Sequence, residues 1–280
     1  MPQKAARMVH IPGGNFLMGS DHHYPEEAPT RLVNVSPFDI DAACVTNDEF
    51  ASFVDATGYI TTCEQPLSAA TRPNMPDAFY SPGSLVFRMT DHPVRLDDPT
   101  QWWEFIAGAC WKHPEGQGST LNGRGQHPVV HVSLVDALRY AQWAGKTLPS
   151  EEQWEYAANT SFNDASRMNI WRGSFPTQHD HTNKAPFTVP AHISTPPKGG
   201  LHHMLGNVWE WTTTPFDAPR TGQTNCCSPE AVQSQEKKTV LKGGSHLCAD
   251  SYCRRYRASA RIGNDKTSSA SHIGFRCIQI

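Results

Sequence analysis

Two cysteines, Cys248 and Cys253, stand with four residues between them in a polar stretch that opens on Gly243-Gly244-Ser245. Arg254, Arg255, Arg257 and Arg261 follow closely. Fixed positive charge beside a thiol favours the thiolate, so this spacing predicts two ionised, nucleophilic sulfurs. Paired thiolates on a short loop can close a disulfide, hold a soft metal or exchange with another disulfide. Local chemistry leaves all three open. A second reactive group is Glu210, set between Trp209 and Trp211 in the run Gly206-Asn207-Val208-Trp209-Glu210-Trp211. A carboxylate between two indoles is either a paired buried acid or an oxygen ligand for a cation.

Other candidates are weaker. Fourteen histidines include His22-His23, His179-Asp180-His181 and His202-His203, but none has a metal-ligand spacing, so no histidine zinc site is expected. Cys44, Cys63 and Cys110 read as core or incidental thiols, and the adjacent Cys226 and Cys227 as a pair that cannot bridge comfortably. Trp111 reads as core. Trp102 and Trp103 read equally as core or as a partly exposed shelf for a peptide.

The elements that must position these groups are short. The chain has 280 residues, a net charge of −3, and 20 Gly with 22 Pro, which together predict many turns and few long helices. Near-balanced charge with no basic run argues against a nucleic-acid partner. No apolar run approaches the roughly 20 residues of a membrane span. The first residues lack the apolar core of a signal peptide, so a cytoplasmic location with reduced thiols is expected. Residues 8–20 read as a hairpin about Pro12-Gly13-Gly14, and 31–41 as another strand pair. Capping boxes at Thr46/Glu49 and Ser150/Gln153 start helices over about 46–57 and 150–158, and Ser133 caps a third over about 133–144. Their inward faces are predicted as Phe50, Phe53 and Val54; Trp154, Ala157 and Ala158; and Leu134, Leu138 and Ala141. Residues 127–133 read as a buried strand. No linker or internal repeat divides the chain, and a single compact α+β domain over 1–280 with little regular structure is predicted.

The stretch from Gly243 to Cys277 resembles the C-terminal signature of the formylglycine-generating enzymes, the sulfatase-modifying factors. Gly243, Gly244, Ser245, Cys248, Ser251, Tyr252, Cys253, Arg255, Tyr256, Arg257, Ala260 and Arg261 meet its first half, and Ser268, Ser269, Ala270, Gly274, Phe275, Arg276 and Cys277 its second. Ile11-Pro12-Gly13-Gly14, the run from Pro128 to Ala157, and the Gly206–Trp211 motif are similar to further family signatures. The resemblance implies a C-type-lectin-like scaffold and oxidation by dioxygen of a cysteine in a C-x-P-x-R type motif, as in sulfatases, to Cα-formylglycine. It implies that Cys248 and Cys253 hold Cu(I), a soft ion suited to low-coordinate thiolate. The substrate thiolate would join as a third sulfur. The implied partner is an unfolded or nascent protein such as a sulfatase, and the implied enzyme is a monomer.

By the same resemblance, Ser245 and Trp209 border the dioxygen and substrate pocket, Tyr252 and Arg261 orient groups around the loop, and Trp102, Trp103 and His272 meet the peptide. Ser245 reads equally as a turn cap, and Arg255 and Arg261 also as structural ion pairs. Two calcium sites are implied, one at His203, Gly206, Val208 and Glu210, the other at Asn169, Ile170, Asn183 and Ala185. His203 and Asn183 replace better oxygen ligands, so at most one site is expected to fill well. Ala141 stands where many relatives carry a cysteine paired with the one at Cys277, which removes that disulfide. His272 stands where relatives carry Asn, and residues 159–168 replace a Gly-rich insertion. Two rivals follow: a copper oxidase on the same scaffold acting on another thiol or a natural-product peptide, and a non-catalytic lectin-like binding module.

Overall fold

The computed structural model describes residues 7–66, 77–161, 168–180, 187–192, 199–218 and 238–280. Among them are three α-helices and eleven short strands. Strands β1 (Met8–Ile11), β4 (Phe38–Asp41) and β11 (Ile278–Gln279) form one antiparallel sheet with β4 in the middle. β2 (Gly14–Met18) pairs with β3 (Arg31–Val35), and β5 (Gly83–Phe87) with β6 (Trp103–Ala107). A four-stranded sheet runs β10 (Ile273–Gly274), β7 (Trp209–Pro215), β8 (Thr239–Lys242), β9 (Arg261–Asn264).

The two N-terminal strand pairs are therefore not hairpins. β1 leaves β2 for β4, and β3 leaves β4 for β2. Gly13, at φ +74°, carries the chain from one sheet to the other so close to Val35 that a Cβ would stand 2.6 Å from its carbonyl oxygen. Only glycine fits there, which gives the Pro-Gly-Gly signal a crossing rather than a turn.

The helices α1 (Asn47–Thr57), α2 (Leu134–Trp143) and α3 (Glu151–Thr160) start where their caps predict. Each has a full capping box, the one on α2 closed by Asp136. α1 buries Phe50, Phe53 and Val54, and α3 buries Trp154, Ala157 and Ala158. On α2 the inward face is Leu134, Ala137, Tyr140 and Ala141, whereas Leu138 is 39 % exposed. The helix is turned so that the Tyr140 ring stacks on Phe50 and meets Phe275 edge-on. Residues 127–133 are buried at Val129, Val130 and Val132, yet they lie in no named strand. His131 adopts φ +59°, which breaks any ladder there.

One apolar core joins α1 and α2 to the four-stranded sheet through Phe50, Tyr140, Trp111, Trp211 and Phe275. A second packs Trp154 and Ala157 of α3 against Phe38, Ile40 and Ile278. Fully buried Lys242 on β8 ties α3 to the sheet, 2.8 Å from Glu155 and 3.5 Å from Glu151. A third cluster, Phe87, Trp102, Trp171, Phe175, Leu247 and Ala249, lies directly behind the cysteine loop.

Candidate functional site

β8 ends in Gly243-Gly244-Ser245, and both glycines have positive φ, +95° and +73°. A Cβ on Gly243 would meet the Met204 carbonyl oxygen at 2.8 Å, and one on Gly244 the Arg255 carbonyl oxygen at 2.7 Å. The turn thus lies flat against the loop that it opens. Ser245 is buried; its Oγ accepts the Leu247 N–H at 3.2 Å, and its carbonyl accepts the Cys248 N–H at 3.0 Å. Here the turn-capping role is realised in full.

Cys248 is 1 % exposed and Cys253 half-buried, with Sγ atoms 3.3 Å apart. A disulfide has sulfurs about 2.05 Å apart, and both residues are free thiols. The expected pair of thiolates becomes one thiolate and one thiol. Cys253 is lowered to about 7 by the hydrogen bond from Cys248, with the Arg255 N–H and guanidinium helping against burial. Cys248 is pushed well up by the same shared proton and by complete burial. Two negative sulfurs at this distance would repel strongly, so the second proton stays.

The four arginines do not act alike. Arg254 is exposed, 3.5 Å from Asp250. Arg257 pairs with buried Glu27 at 2.6 Å. Arg261 is turned away from the sulfurs: its Nε is 2.9 Å from Glu151 and its Nη2 donates to the Phe216 carbonyl at 3.1 Å. Arg255 is the one that borders the pocket in front of the sulfurs.

That pocket has a volume of about 220 Å³. Trp103, Trp209, Ser245, Tyr252 and His272 share its wall with the two cysteines. Tyr252 is stacked on Phe175 with centroids 4.6 Å apart, and its phenol pKa is raised by burial and then by the two sulfurs. His272 lies on Trp103, 4.6 Å between centroids, and its Nδ1 is buried without a hydrogen-bond partner. Burial holds that imidazole neutral, well below its usual pKa. Trp102, read equally as core or as part of an exposed shelf, is 1 % exposed and packs edge-on against Phe175 and Tyr252. Both indoles border the pocket, Trp102 from a buried position under the loop and Trp103 from the more open side. A larger cavity of about 350 Å³ lies behind His246 and Ser271 and contains neither sulfur.

Sequence reasoning missed Tyr24, Glu26 and Glu27, which hold Arg255 and Arg257, and Phe175, which supports Tyr252. The acidic doublet was the available signal, but nothing local linked it to arginines 229 residues away.

The comparisons with known proteins agree on one kinship. A family model described as the sulfatase-modifying factor enzyme 1-like domain matches residues 1–280. The chain belongs to this family. The chain is 44 % identical to a formylglycine-generating enzyme of Mycobacterium tuberculosis, over 97 % of this chain and 97 % of that protein. A formylglycine-generating enzyme of Thermomonospora curvata is 41 % identical over 99 % and 94 %. Among solved structures, PvdO from Pseudomonas aeruginosa shares the fold, with TM-score 0.58 at 22 % identity over 97 % of this chain and 93 % of that one.

Within this sulfatase-modifying factor scaffold, the donor set at Cys248 and Cys253 fits a soft monovalent ion. Two sulfurs face each other unbridged, and that of Cys253 has its pKa lowered to about 7. The Glu210 region does not fit calcium. Glu210 is fully buried and both oxygens are taken: Arg276 Nε at 2.7 Å and Trp154 Nε1 at 2.8 Å on one, Arg276 Nη2 at 2.8 Å and the Cys44 thiol at 3.1 Å on the other. Its geometry is that of a paired buried acid. His203 has its Nε2 buried and unpartnered, and burial, with Arg276 nearby, lowers it to about 4. Gly206 and Val208 shape the turn before β7; a Cβ on Gly206 would meet the Asn169 carbonyl oxygen at 2.6 Å. Of the second proposed set, Asn169 spends its amide nitrogen on Phe187 and Asn207, and Ile170 is buried beside it. Asn183 and Ala185 lie outside the described residues.

Proposed function

We propose that the protein is a formylglycine-generating oxidase, which converts a cysteine of an extended peptide, in a C-x-P-x-R type motif such as that of sulfatases, to Cα-formylglycine. The observation that carries this reading is the unbridged Cys248–Cys253 pair, 3.3 Å apart on the floor of a peptide-sized pocket. Kinship with curated formylglycine-generating enzymes over nearly the whole chain supports it.

The overall change balances as one peptidyl CH2–SH, one dioxygen and two external thiols giving one aldehyde, one hydrogen sulfide, one water and one external disulfide. The substrate carbon loses hydrogen and sulfur, dioxygen is reduced, and the external thiols supply the remaining two electrons. Cu(I) held by Cys248 and Cys253 would supply the site at which a substrate thiolate and dioxygen meet. The chain's own residues do the rest. In the metal-free pair Cys253 is the more acidic sulfur and Cys248 holds the proton that metal binding would displace. Trp209 and Trp103 offer flat apolar walls that suit a proline-containing peptide and exclude water from the reacting sulfur. His272, neutral and with one ring nitrogen unsatisfied, is placed to bond a peptide group arriving over Trp103.

A reducing compartment belongs to this reading, since it would keep the six described cysteines as the free thiols they are. No helix among the described residues is long and apolar enough to cross a membrane. Protein reconstituted with Cu(I), given a C-x-P-x-R peptide, dioxygen and an external thiol, is expected to yield the aldehyde by mass spectrometry and hydrazide trapping. Cys248→Ser and Cys253→Ser are expected to yield none. Turnover of a different thiol with no peptide oxidation would select the rival oxidase, and binding without turnover would select the binding module.

A further inference from the structure

The cysteine loop has no ladder to hold it. Residues 248–260 form turns and irregular chain with no strand or helix, so side-chain anchors decide where the sulfurs sit. Tyr252, stacked on Phe175, anchors the start of the loop, and the rest of it is held by a 3-10 turn, Pro25–Glu27, and the tyrosine before it.

Glu26 forms an ion pair with Arg255, and the Tyr24 ring lies 3.9 Å from the same guanidinium carbon. Arg255 Nη1 also donates to the Arg261 carbonyl at 2.8 Å. Fully buried Glu27 accepts from both terminal nitrogens of Arg257 at 2.6 Å and from Ser259 Oγ at 2.8 Å. Between these anchors, the Arg255 backbone N–H is directed at both sulfurs. Gly244 presses on the Arg255 carbonyl from the other side. Arg255 is therefore fixed at its side chain and at both ends of its peptide, with Cys253 two residues away.

We propose that Tyr24, Glu26 and Glu27 are positioning residues for the cysteine pair: by immobilising Arg255 and Arg257 they hold Cys253 within bridging distance of Cys248. Within the loop Tyr256 bonds Asp250 and Arg257 Nε donates to the Arg254 carbonyl, but these contacts tie the loop only to itself. Arg254, the arginine nearest Cys253 in sequence, is exposed and pairs only with Asp250 of the same loop, at 3.5 Å. The inference rests on the two sulfurs acting together, as in the proposed oxidase, but not on what reaction they serve.

The test reads the sulfur pair with a dithiol probe that ignores the reaction. Phenylarsine oxide is titrated onto the reduced protein, and Cu(I) affinity is measured separately by competition with a chromogenic chelator. Glu26→Gln and Tyr24→Leu alter partly exposed side chains, and Glu27→Gln the buried one. Each is expected to weaken both arsenical and Cu(I) capture by about 10-fold or more, the usual cost of losing an outer anchor of a ligand. Glu152→Gln, which breaks the Arg31–Glu152 pair of 2.9 Å away from the loop, controls for general destabilisation and is expected to leave capture unchanged. Capture by Glu26→Gln and Tyr24→Leu as tight as in the unaltered protein overturns the proposal, as does failure of the unaltered protein to capture the arsenical. Arsenical capture without Cu(I) binding would instead strike the copper reading and leave the clamp standing.

Discussion

Arg276 and Glu210 face each other as a fully buried two-point pair, Nε to one carboxylate oxygen at 2.7 Å and Nη2 to the other at 2.8 Å. The guanidinium also donates to the His202 carbonyl at 2.8 Å, so it links β10 and its continuation to the turn before β7. Removing one member of such a pair leaves a buried charge without a partner, which costs about 3–5 kcal/mol. Arg276→Met is expected to lose that much in urea unfolding. Replacing both members together, Arg276→Met with Glu210→Gln, is expected to lose clearly less than the sum of the two single changes.

The same pair decides a metal question. With four donors already on its two oxygens, Glu210 has no lone pair directed at a free cation. Calcium titrated onto Glu210→Gln and onto the unaltered protein, followed by calorimetry, should give the same stoichiometry. A calcium ion bound by the unaltered protein and lost in Glu210→Gln would show that the carboxylate is a ligand after all.

The cysteine pair should show its asymmetry in alkylation. The Cys253 thiol is lowered to about 7, chiefly by its hydrogen bond with Cys248. Iodoacetamide at neutral pH is expected to label Cys253 and spare buried Cys248. The rate should rise with pH through a midpoint near 7. In Cys248→Ala the donor is gone, and the midpoint should move up toward the ordinary thiol range of about 8.5. Equal labelling of both sulfurs would contradict a pair that shares one proton.

Acid should destabilise the fold through its buried histidines. Burial lowers His131 and His246 to about 4, holds His203 there with help from Arg276, and also takes His272 well below its usual range. Each is neutral when folded and has an ordinary pKa near 6.5 when unfolded. Their contribution is therefore complete above pH 6.5 and is lost as pH falls from 6.5 toward 4, where the unfolded chain takes up protons that the folded one refuses. Glu27, held low by Arg257 and Ser259 despite burial, adds a loss in the same direction at lower pH. Each histidine can contribute up to about 1.4 kcal/mol per pH unit in that window. Unfolding free energy measured between pH 7 and 5 should fall accordingly, and His131→Gln, if it folds, should flatten the slope.

Local signals were readable from the chain, and distant ones were not. Thr46 with Glu49 and Ser150 with Gln153 are three residues apart, so their capping boxes needed no knowledge of the fold. Cys248 and Cys253 share a loop and were found together for the same reason. Strand partners are set by contacts across the molecule: β4 pairs at once with strands from near the start and the end of the chain. No pattern within Met8–Met18 distinguishes a hairpin from a crossing, because the glycines suit both. The charge logic of the loop failed similarly. Four arginines in sequence implied a common positive field, but Glu27 and Glu151 claim two of them from outside the loop. Trp102 and Trp103 could not be separated until the strand that follows fixed which one faces inward.

Two glycines with nearly the same backbone angle offer the sharpest test of what shapes the site. Gly58, which ends α1, has φ +67° and open space where a Cβ would go. Gly244 has φ +73°, but its Cβ would stand 2.7 Å from the Arg255 carbonyl oxygen and 3.0 Å from the Tyr256 Cα. The left-handed conformation costs a residue with a Cβ about 1–2 kcal/mol, and Gly58→Ala should lose only that, with thiol chemistry untouched. Gly244→Ala must pay the same strain and also push the Arg255 peptide aside. The backbone there carries the N–H directed at both sulfurs, so its displacement reaches the cysteines directly. Gly244→Ala is therefore expected to lose clearly more stability than Gly58→Ala. It should also shift the Cys253 alkylation midpoint upward and abolish peptide oxidation. If the two variants behave alike in urea unfolding and in alkylation, contact with Arg255 is not what sets the cysteine loop.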